Sequence, residues 1–333
     1  MNEADYQDHK RDEGSQLTYL RKKRPGLLIS AGIAASIPTV GFIVREVFRK
    51  RNKHLMQENI AQFSSIPEEA SFLEARPRHF GGKKKPFRHA VLLLHGFSSS
   101  PMEFSSLIPH LENANIPYYA PLLTGYGMDD FRLLYQVRAN DWRRDAAAAY
   151  ELMSSFADEI SVVGHSTGAN LALYVASRFP VKHLVLSAAN LAPSVQDEKL
   201  KQIVNSTFLG AVFRMAMPVV KKPVRRKDPE RGDTLDPASA GKGFGYRAIP
   251  LQSVRALWTL QDETPVSGLK FNSMHYLYGL QDLSVNNQAS IRILQENGNE
   301  FTIDAYSNSA HNILDDFEKE AVVARILRIL EGK

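Results

Sequence analysis

Residues 160–168 read Ile160-Ser161-Val162-Val163-Gly164-His165-Ser166-Thr167-Gly168, and their order decides the fold. A short apolar run enters Gly164-His165-Ser166-Thr167-Gly168, which fits G-x-S-x-G. A helix-forming stretch, Ala169 to Arg178, leaves it. A strand, a sharp turn and a helix in that sequence form the setting in which a serine stands on a strained turn with its hydroxyl pushed out at the top of a sheet. The turn is tight enough for neighbouring Cβ atoms to collide, so glycine is required on both flanks. Glycine and serine are common, and a pattern with three fixed positions also arises by chance. The flanking strand and helix signals decide for a nucleophile elbow.

A serine so placed needs a base to take its proton, a carboxylate to orient that base, and donors for the oxyanion. With an elbow serine the acid and then the histidine follow in the chain. Beyond His183 only His275 and His311 remain. His275 lies inside Ser273-Met274-His275-Tyr276-Leu277-Tyr278-Gly279, which reads as a buried strand whose side chains point into packing. His311 follows a strand (300–306) and the small-residue loop Ser307-Asn308-Ser309-Ala310. A loop at the carboxyl end of a strand is where open α/β sheets bind ligands, so His311 is the candidate base. Asp282, in Gly279-Leu280-Gln281-Asp282, stands on another strand-end loop and is the candidate acid, although turn aspartates are common. Asp304 lies within a strand. Asp315 and Asp316 open the last helix, where acidic residues serve as ordinary caps.

The oxyanion donors are expected to be backbone N–H groups, one from the residue after the serine and one from the loop after an earlier strand. These are Thr167 and Phe97, the latter in Val91-Leu92-Leu93-Leu94-His95-Gly96-Phe97-Ser98-Ser99-Ser100-Pro101. His95 and His165 each precede a key turn, and structural hydrogen bonding is expected of both.

With these pieces assembled, the chain resembles the α/β-hydrolase superfamily across about residues 87–333, and within it the bacterial carboxylesterase and monoacylglycerol lipase-like group. The matching stretches are LLLHGFSSSP, YYAPLLTGYG, NDWRRDAAAAYELM, VVGHSTGANLALYVA, YGLQDLSVNNQAS and SNSAHNI. The resemblance implies Ser166, Asp282 and His311 as a catalytic triad, with Phe97 and Thr167 as oxyanion donors. The chain departs from the group at Gly125-Tyr126-Gly127, where many relatives carry Gly-His-Gly, which bears on acyl or alcohol preference. It departs again at Ser309-Ala310-His311, where Ser-Gly-His is usual. Dehalogenase and epoxide-hydrolase branches place aspartate at the elbow, so Ser166 argues against both.

The 333 residues hold one catalytic domain plus additions, and an apolar fraction of 44% can build a large core. With no cysteine there is no disulfide, thiolate metal site or cysteine nucleophile. No glycine-rich phosphate loop and no His-x-x-x-His spacing occurs, and neither cofactor nor metal is expected. Residues 1–55 carry eleven Lys/Arg against six Asp/Glu, which accounts for the whole net charge of +5. The basic balance therefore belongs to the amino terminus and does not point to nucleic acid.

That terminus contains the uncharged run 26–44, GLLISAGIAASIPTVGFIV, nineteen residues long. Arg21-Lys22-Lys23-Arg24 precede it, and Arg45, Arg49, Lys50, Arg51 and Lys53 follow. At about 1.5 Å per residue a helix of this length nearly matches a bilayer core of roughly 30 Å. Basic clusters on both sides disfavour a buried soluble helix. A cleaved signal peptide would have a shorter apolar core and no basic block behind it. Pro38 and three glycines weaken the helix but are tolerated in membrane spans. The expectation is a polar tail (1–25), a single-span anchor (26–44), a juxtamembrane linker (45–86) and a hydrolase domain (87–333). Nearly equal flanking charge sets no orientation, and no feature fixes the oligomeric state. Membrane lipid is the expected partner.

Beyond Arg88, segments near 117–120, 160–164, 182–187, 273–279 and 300–306 read as strands. Stretches near 101–113, 140–156, 167–178, 287–297 and 315–331 read as helices. The alternation predicts a mostly parallel sheet covered on both faces. Residues 190–269 break the rhythm and are too long for a plain loop; an inserted cap is expected there. Its apolar run (208–220) suits either an acyl pocket or ordinary packing, and its basic run (221–227) a solvated face or anionic headgroups. The expected activity is hydrolysis of lipophilic carboxylic esters, from short-chain acyl esters to monoacylglycerol-like lipids. Amide hydrolysis, as in proline iminopeptidase-like relatives, and a non-catalytic binding role on the same scaffold are the alternatives.

Overall fold

The computed structural model describes residues 85, 87–126, 134–206, 210, 219–221, 233–239, 246 and 248–332. The expected tail, anchor and most of the linker lie outside the described residues, as does most of the apolar and basic runs of 208–227. Among the described residues no helix is long and apolar enough to cross a membrane.

Six parallel strands form the centre: β1 (Phe87–Leu94), β2 (Tyr118–Tyr119), β3 (Ala157–His165), β4 (Val181–Ser187), β7 (Phe271–Gly279) and β8 (Thr302–Tyr306), in the spatial order β2-β1-β3-β4-β7-β8. A small antiparallel pair, β5 (Val219–Lys221) with β6 (Ala248–Pro250), stands apart. The helices are α1 (Ile108–Asn113), α2 (Ala139–Ser154), α3 (Thr167–Arg178), α4 (Val195–Asn205), α5 (Leu251–Asp262), α6 (Asn287–Glu296) and α7 (Lys319–Leu330). With every central strand parallel, all carboxyl ends fall on one edge, and that edge carries the loops that matter below.

The two-residue side-chain period sorts the central strands between two cores. Leu92 and Leu94 of β1, Leu184 and Leu186 of β4, and Tyr276 of β7 face one side, where α2, α3, α5 and α6 cover them. Trp142, Ala146, Ala149 and Met153 give α2 the helical spacing that this requires. Val91, Leu93, Val163, Val185 and Leu277 face the other side, under α1 and α7, with Val322, Val323, Ile326 and Ile329 as the buried stripe of α7. Strands buried on both faces read as continuous apolar runs, which is how Val91 to Leu94 reads.

Two expected elements are shorter than the patterns suggested. The stretch 101–113 splits into a 3-10 turn, Pro101–Phe104, and α1. Pro109 lacks an N–H to donate, so it can stand only in a first turn, and α1 starts just before it. The last helix begins at Lys319, behind a 3-10 turn, Ile313–Asp315. Asp316 therefore does not open the last helix, whose N-cap is Glu318. The Asp316 backbone is extended and its side chain is fully buried. The interval 190–269 contains α4, the β5–β6 pair and α5. A Lys201–Asp262 ion pair joins α4 to α5, and Arg143 of α2 holds Glu263, just after α5, at 2.8 Å.

Candidate active site

The backbone at Ser166 has a positive φ of 53° with ψ −115°, outside the regions a side chain normally allows. A non-glycine residue holds such a conformation only where its surroundings over-determine it. Here the Ser166 N–H donates to Ser187 O at 2.8 Å, and α3 starts at the next residue. A Cβ on Gly164 would lie 2.3 Å from Gly168 O, and one on Gly168 would lie 1.8 Å from Leu94 O. Both glycines are thus required by close backbone approach, and Gly168 lets α3 pack against the end of β1.

The loop after β1 is clamped from several sides. His95 donates from Nδ1 to Gly96 O at 2.9 Å and accepts the Leu123 N–H on Nε2 at 3.1 Å. Those two bonds fix its neutral tautomer, and burial pulls its pKa down. Glu103, in the 3-10 turn, accepts the Gly96 N–H at 2.7 Å. The Phe97 ring sits edge-on to Tyr126 and Trp142, with centroids 6.1 and 6.0 Å away, while Tyr126 stacks on Trp142 at 16°. Tyr126 is 1% exposed, so the tyrosine of Gly125-Tyr126-Gly127 serves as packing that fixes Phe97. The Phe97 and Thr167 N–H groups have no protein partner among the described residues, and both residues line the same pocket as Ser166.

His311 comes to that pocket from the loop after β8. Its Nδ1–H donates to Asp282 Oδ2 at 2.8 Å. Asp282 is further held by the Ser284 N–H at 2.6 Å, the Val285 N–H at 3.2 Å and the Asn287 amide at 2.8 Å. Asn287, at the start of α6, is fixed in turn by the Tyr276 hydroxyl at 2.9 Å. Burial pulls the His311 pKa down, but the Asp282 charge and hydrogen bond, with Asp233 and Glu103 behind them, outweigh it, and the net shift is upward. Burial likewise pushes Asp282 up, and His311 with the Asn287 and Ser284 donors more than reverses it, so Asp282 stays below the ordinary carboxylate range. The His165 ring lies 4.8 Å from that of His311. Burial lowers His165 to about 4, and its Nδ1 pairs with Ser187 Oγ at 3.0 Å.

The structure thus gathers Ser166, His311, Phe97 and Thr167 around one pocket, with Asp282 hydrogen-bonded behind His311. It does not bring in His275. That side chain is only half-buried on β7, where it bonds Ser273 at 2.9 Å and Thr302 at 2.7 Å, so it neither packs inward as expected nor reaches the pocket. Asp304, on β8, pairs with Arg325 at 3.0 Å.

Several residues of the site carry no signal of their own in the sequence. Leu200, Val220, Ile249, Val254, Leu257 and Trp258, all from 190–269, give the pocket its apolar wall. Asn190, Asp233, Gln261 and Ser284 give it polar groups. The Ser284 hydroxyl donates to Asp233 at 2.7 Å, which seats a second carboxylate near His311. Asp316 accepts the N–H groups of Leu235, Asp236 and Phe317, each at 2.9 Å, and of Ala310 at 2.7 Å, tying the Asp233 segment to the His311 loop.

Residues 85–320 match the family described as serine aminopeptidase, S33. Among solved structures, a metagenome-derived lipolytic enzyme of the LipS and LipT pair aligns with a TM-score of 0.62 and 20% identity, over 75% of this chain and 96% of its own. The monoacylglycerol lipase of Paleococcus ferrophilus aligns at 0.58 and 17%, over 74% and 97%. A soluble variant of Saccharomyces cerevisiae monoglyceride lipase aligns at 0.59 and 14%, over 74% and 88%. At these identities the structural likeness speaks for the fold.

Proposed function

The chain belongs to the S33 serine aminopeptidase family of α/β-hydrolases, and from that premise we propose that it is a serine hydrolase of carboxylic esters with a lipophilic acyl group, working through an acyl-enzyme. One observation carries the reading: an elbow serine, two backbone N–H groups without a protein partner among the described residues and a histidine backed by a buried carboxylate share a pocket with a mainly apolar wall. In the first step His311 takes the Ser166 proton as Oγ attacks the ester carbonyl. The Phe97 and Thr167 N–H groups hold the oxyanion, and the imidazolium gives its proton to the leaving alcohol. Water, deprotonated by His311, then releases the acid and restores Ser166. The protein should label with a fluorophosphonate probe. Ser166→Ala should lose the label and ester turnover, by on the order of 10⁶-fold in rate, with an unchanged melting temperature. Near-wild-type turnover in that variant would rule the mechanism out.

One feature favours amide hydrolysis as a second reading. The Asp233 carboxylate lines the pocket near His311 and suits the ammonium group of an amino-terminal residue. Aminoacyl anilides tested beside acyl esters separate the two, with esters expected to be turned over faster.

The run 26–44 acts, in this proposal, as a single membrane span that keeps the domain near lipophilic substrate. Its support is its length without charge and its basic flanks. Full-length protein should stay in membranes washed with alkaline carbonate, and a chain beginning at Ser64 should be soluble and active. Release of full-length protein by carbonate would refute the span.

A further inference from the structure

Glu103 is a buried acid that takes no part in the proton transfers above. It stands in the 3-10 turn Pro101–Phe104. Phe104 anchors that turn in the core under α1 and α7, and the Ser100 hydroxyl caps it by accepting the Met102 N–H at 3.3 Å. The Glu103 side chain is 9% exposed and is not among those that line the pocket. Its Oε2 accepts the Gly96 N–H at 2.7 Å, and its Oε1 lies 3.7 Å from His165 Nε2.

These two contacts reach the two halves of the site. Gly96 lies against the nucleophile: a Cβ on it would stand 3.3 Å from Ser166 Cβ, which leaves little room for a side chain. Glycine also leaves the backbone free to turn, so its two peptides have to be held from outside. Glu103 fixes the one before it, through the Gly96 N–H. His95 fixes the one after it, by donating from Nδ1 to Gly96 O at 2.9 Å. A trans peptide carries its N–H opposite its C=O. With Gly96 O turned to His95, the Phe97 N–H is turned away from that ring, and Phe97 lines the pocket. On the other side, the His165 ring lies 4.8 Å from that of His311. Among the described residues no Lys or Arg pairs with Glu103, and His165, kept neutral by burial, gives it no lasting positive charge. A buried carboxylate without a cation is costly. The positive charge that does arise nearby is the His311 imidazolium, formed as Ser166 attacks.

We propose that Glu103 is a positioning residue for both halves of the site: through Gly96 it aims the Phe97 N–H at the oxyanion, and past the His165 ring its negative charge favours the His311 imidazolium. This inference rests on the serine-hydrolase reading and adds a residue to it. The groups that act on His311 are Asp282, Asp233, Glu103 and His165, and Glu103 in turn faces His95, His165 and His311.

The test is the pH dependence of kcat and KM in wild type, Glu103→Gln and Glu103→Ala. The substrate is whichever 4-nitrophenyl ester, from acetate to decanoate, wild type turns over fastest. Turnover is expressed per serine labelled by fluorophosphonate at completion, so a misfolded fraction does not count. Glu103→Ala removes the acceptor of the Gly96 N–H. Its plateau kcat should fall about tenfold to hundredfold with KM little changed, because a misaimed oxyanion donor weakens the transition state alone. Glu103→Gln keeps an acceptor and should recover most of that loss. Both variants lose the charge, so the acid limb of kcat/KM should move to lower pH in both, which a merely structural glutamate would not cause. A wild-type plateau in Glu103→Ala, a loss confined to KM, or a Glu103→Gln plateau as low as that of Glu103→Ala overturns the proposal. So does an acid limb unmoved in Glu103→Gln, and that limb decides alone if Glu103→Ala does not fold. All of these leave the serine-hydrolase reading standing as long as wild type labels and turns over ester. Wild type that does not label, or hydrolyses none of these esters, overturns that reading and this inference with it.

Discussion

His311 and Asp282 have opposite shifts because each stabilises the charged form of the other in a buried site. Two expectations follow at the level of single residues. Asp282→Asn removes the charge and favours the wrong imidazole tautomer, so kcat should fall by roughly 10⁴. Asp304→Asn, which loses only a partly exposed ion pair with Arg325, should keep most of the activity; equal losses would mean that the acid is misassigned. The base must be neutral to accept a proton. Because the His311 pKa is raised above the ordinary histidine value of about 6.5, kcat/KM should decline with acid already above that pH. Asp233 contributes to the rise, so Asp233→Asn should move the acid limb to lower pH. An unmoved limb in the pH–rate profile would show that Asp233 does not act on the base.

At the scale of elements, the site is a meeting of loops that different strands deliver, and Asp316 is the joint between two of them. Its carboxylate holds N–H groups from residues 235, 236, 310 and 317. Asp316→Ala leaves four N–H groups without their acceptor, that of Ala310 buried and the others partly so, and an unpaired buried group costs about 1–3 kcal/mol before relaxation. A loss of about 3 kcal/mol or more is expected in a denaturant titration, with a fall in kcat as the His311 loop loosens. Asp316→Asn keeps one acceptor oxygen and should lose less on both counts. Full activity with reduced stability would mean that the loop keeps its place without this joint.

For the whole molecule, histidine burial sets the response to acid. His89 and His275 are lowered to about 4, chiefly by burial, with Lys182 adding for the first and Arg325 for the second, while Glu159 and Asp304 oppose. His183 is lowered too, by burial and then Lys182. These three share a chain of hydroxyl bridges across the sheet: His89 to Ser161 at 2.8 Å, His183 to Ser273 at 2.8 Å, His275 to Ser273 at 2.9 Å. His95 and His165, buried near the site, shift the same way. The unfolded chain takes up these protons near pH 6.5, and the folded chain refuses them to lower pH, down to about 4 for His89, His165 and His275. Stability conferred by neutral histidine is therefore complete above the unfolded value and is lost as pH falls through that window. His311 has the opposite sign, one group against five. Melting temperature measured from pH 7 to 4.5 should fall, and less steeply in His275→Asn. An equal slope in that variant would show that His275 does not couple to folding.

The elbow was legible because its demands are local: a turn closed within five residues, glycines needed where backbones nearly touch, and a strand and helix at either end. The parallel sheet was legible for a similar reason, since strands buried on both faces spell themselves as apolar runs such as Val91 to Leu94. His311 and Asp282 could be reached from chain order and loop position. What tied them to each other is a contact across 29 residues of sequence, which composition does not encode. The roles of Asp316, Gln261, Asn287 and Asp233 were not legible at all. Asp316 looks like a helix cap, Gln261 like any polar helix residue, and Asn287 and Asp233 like loop or helix-end residues. Their roles come from which polar groups, of backbone or side chain, the fold sets beside them. Local sterics and side-chain periodicity thus determined the sheet and the place of the nucleophile. Only long-range packing, which decides where a buried donor or acceptor finds its partner, determined how the base is held and which side chains wall the pocket.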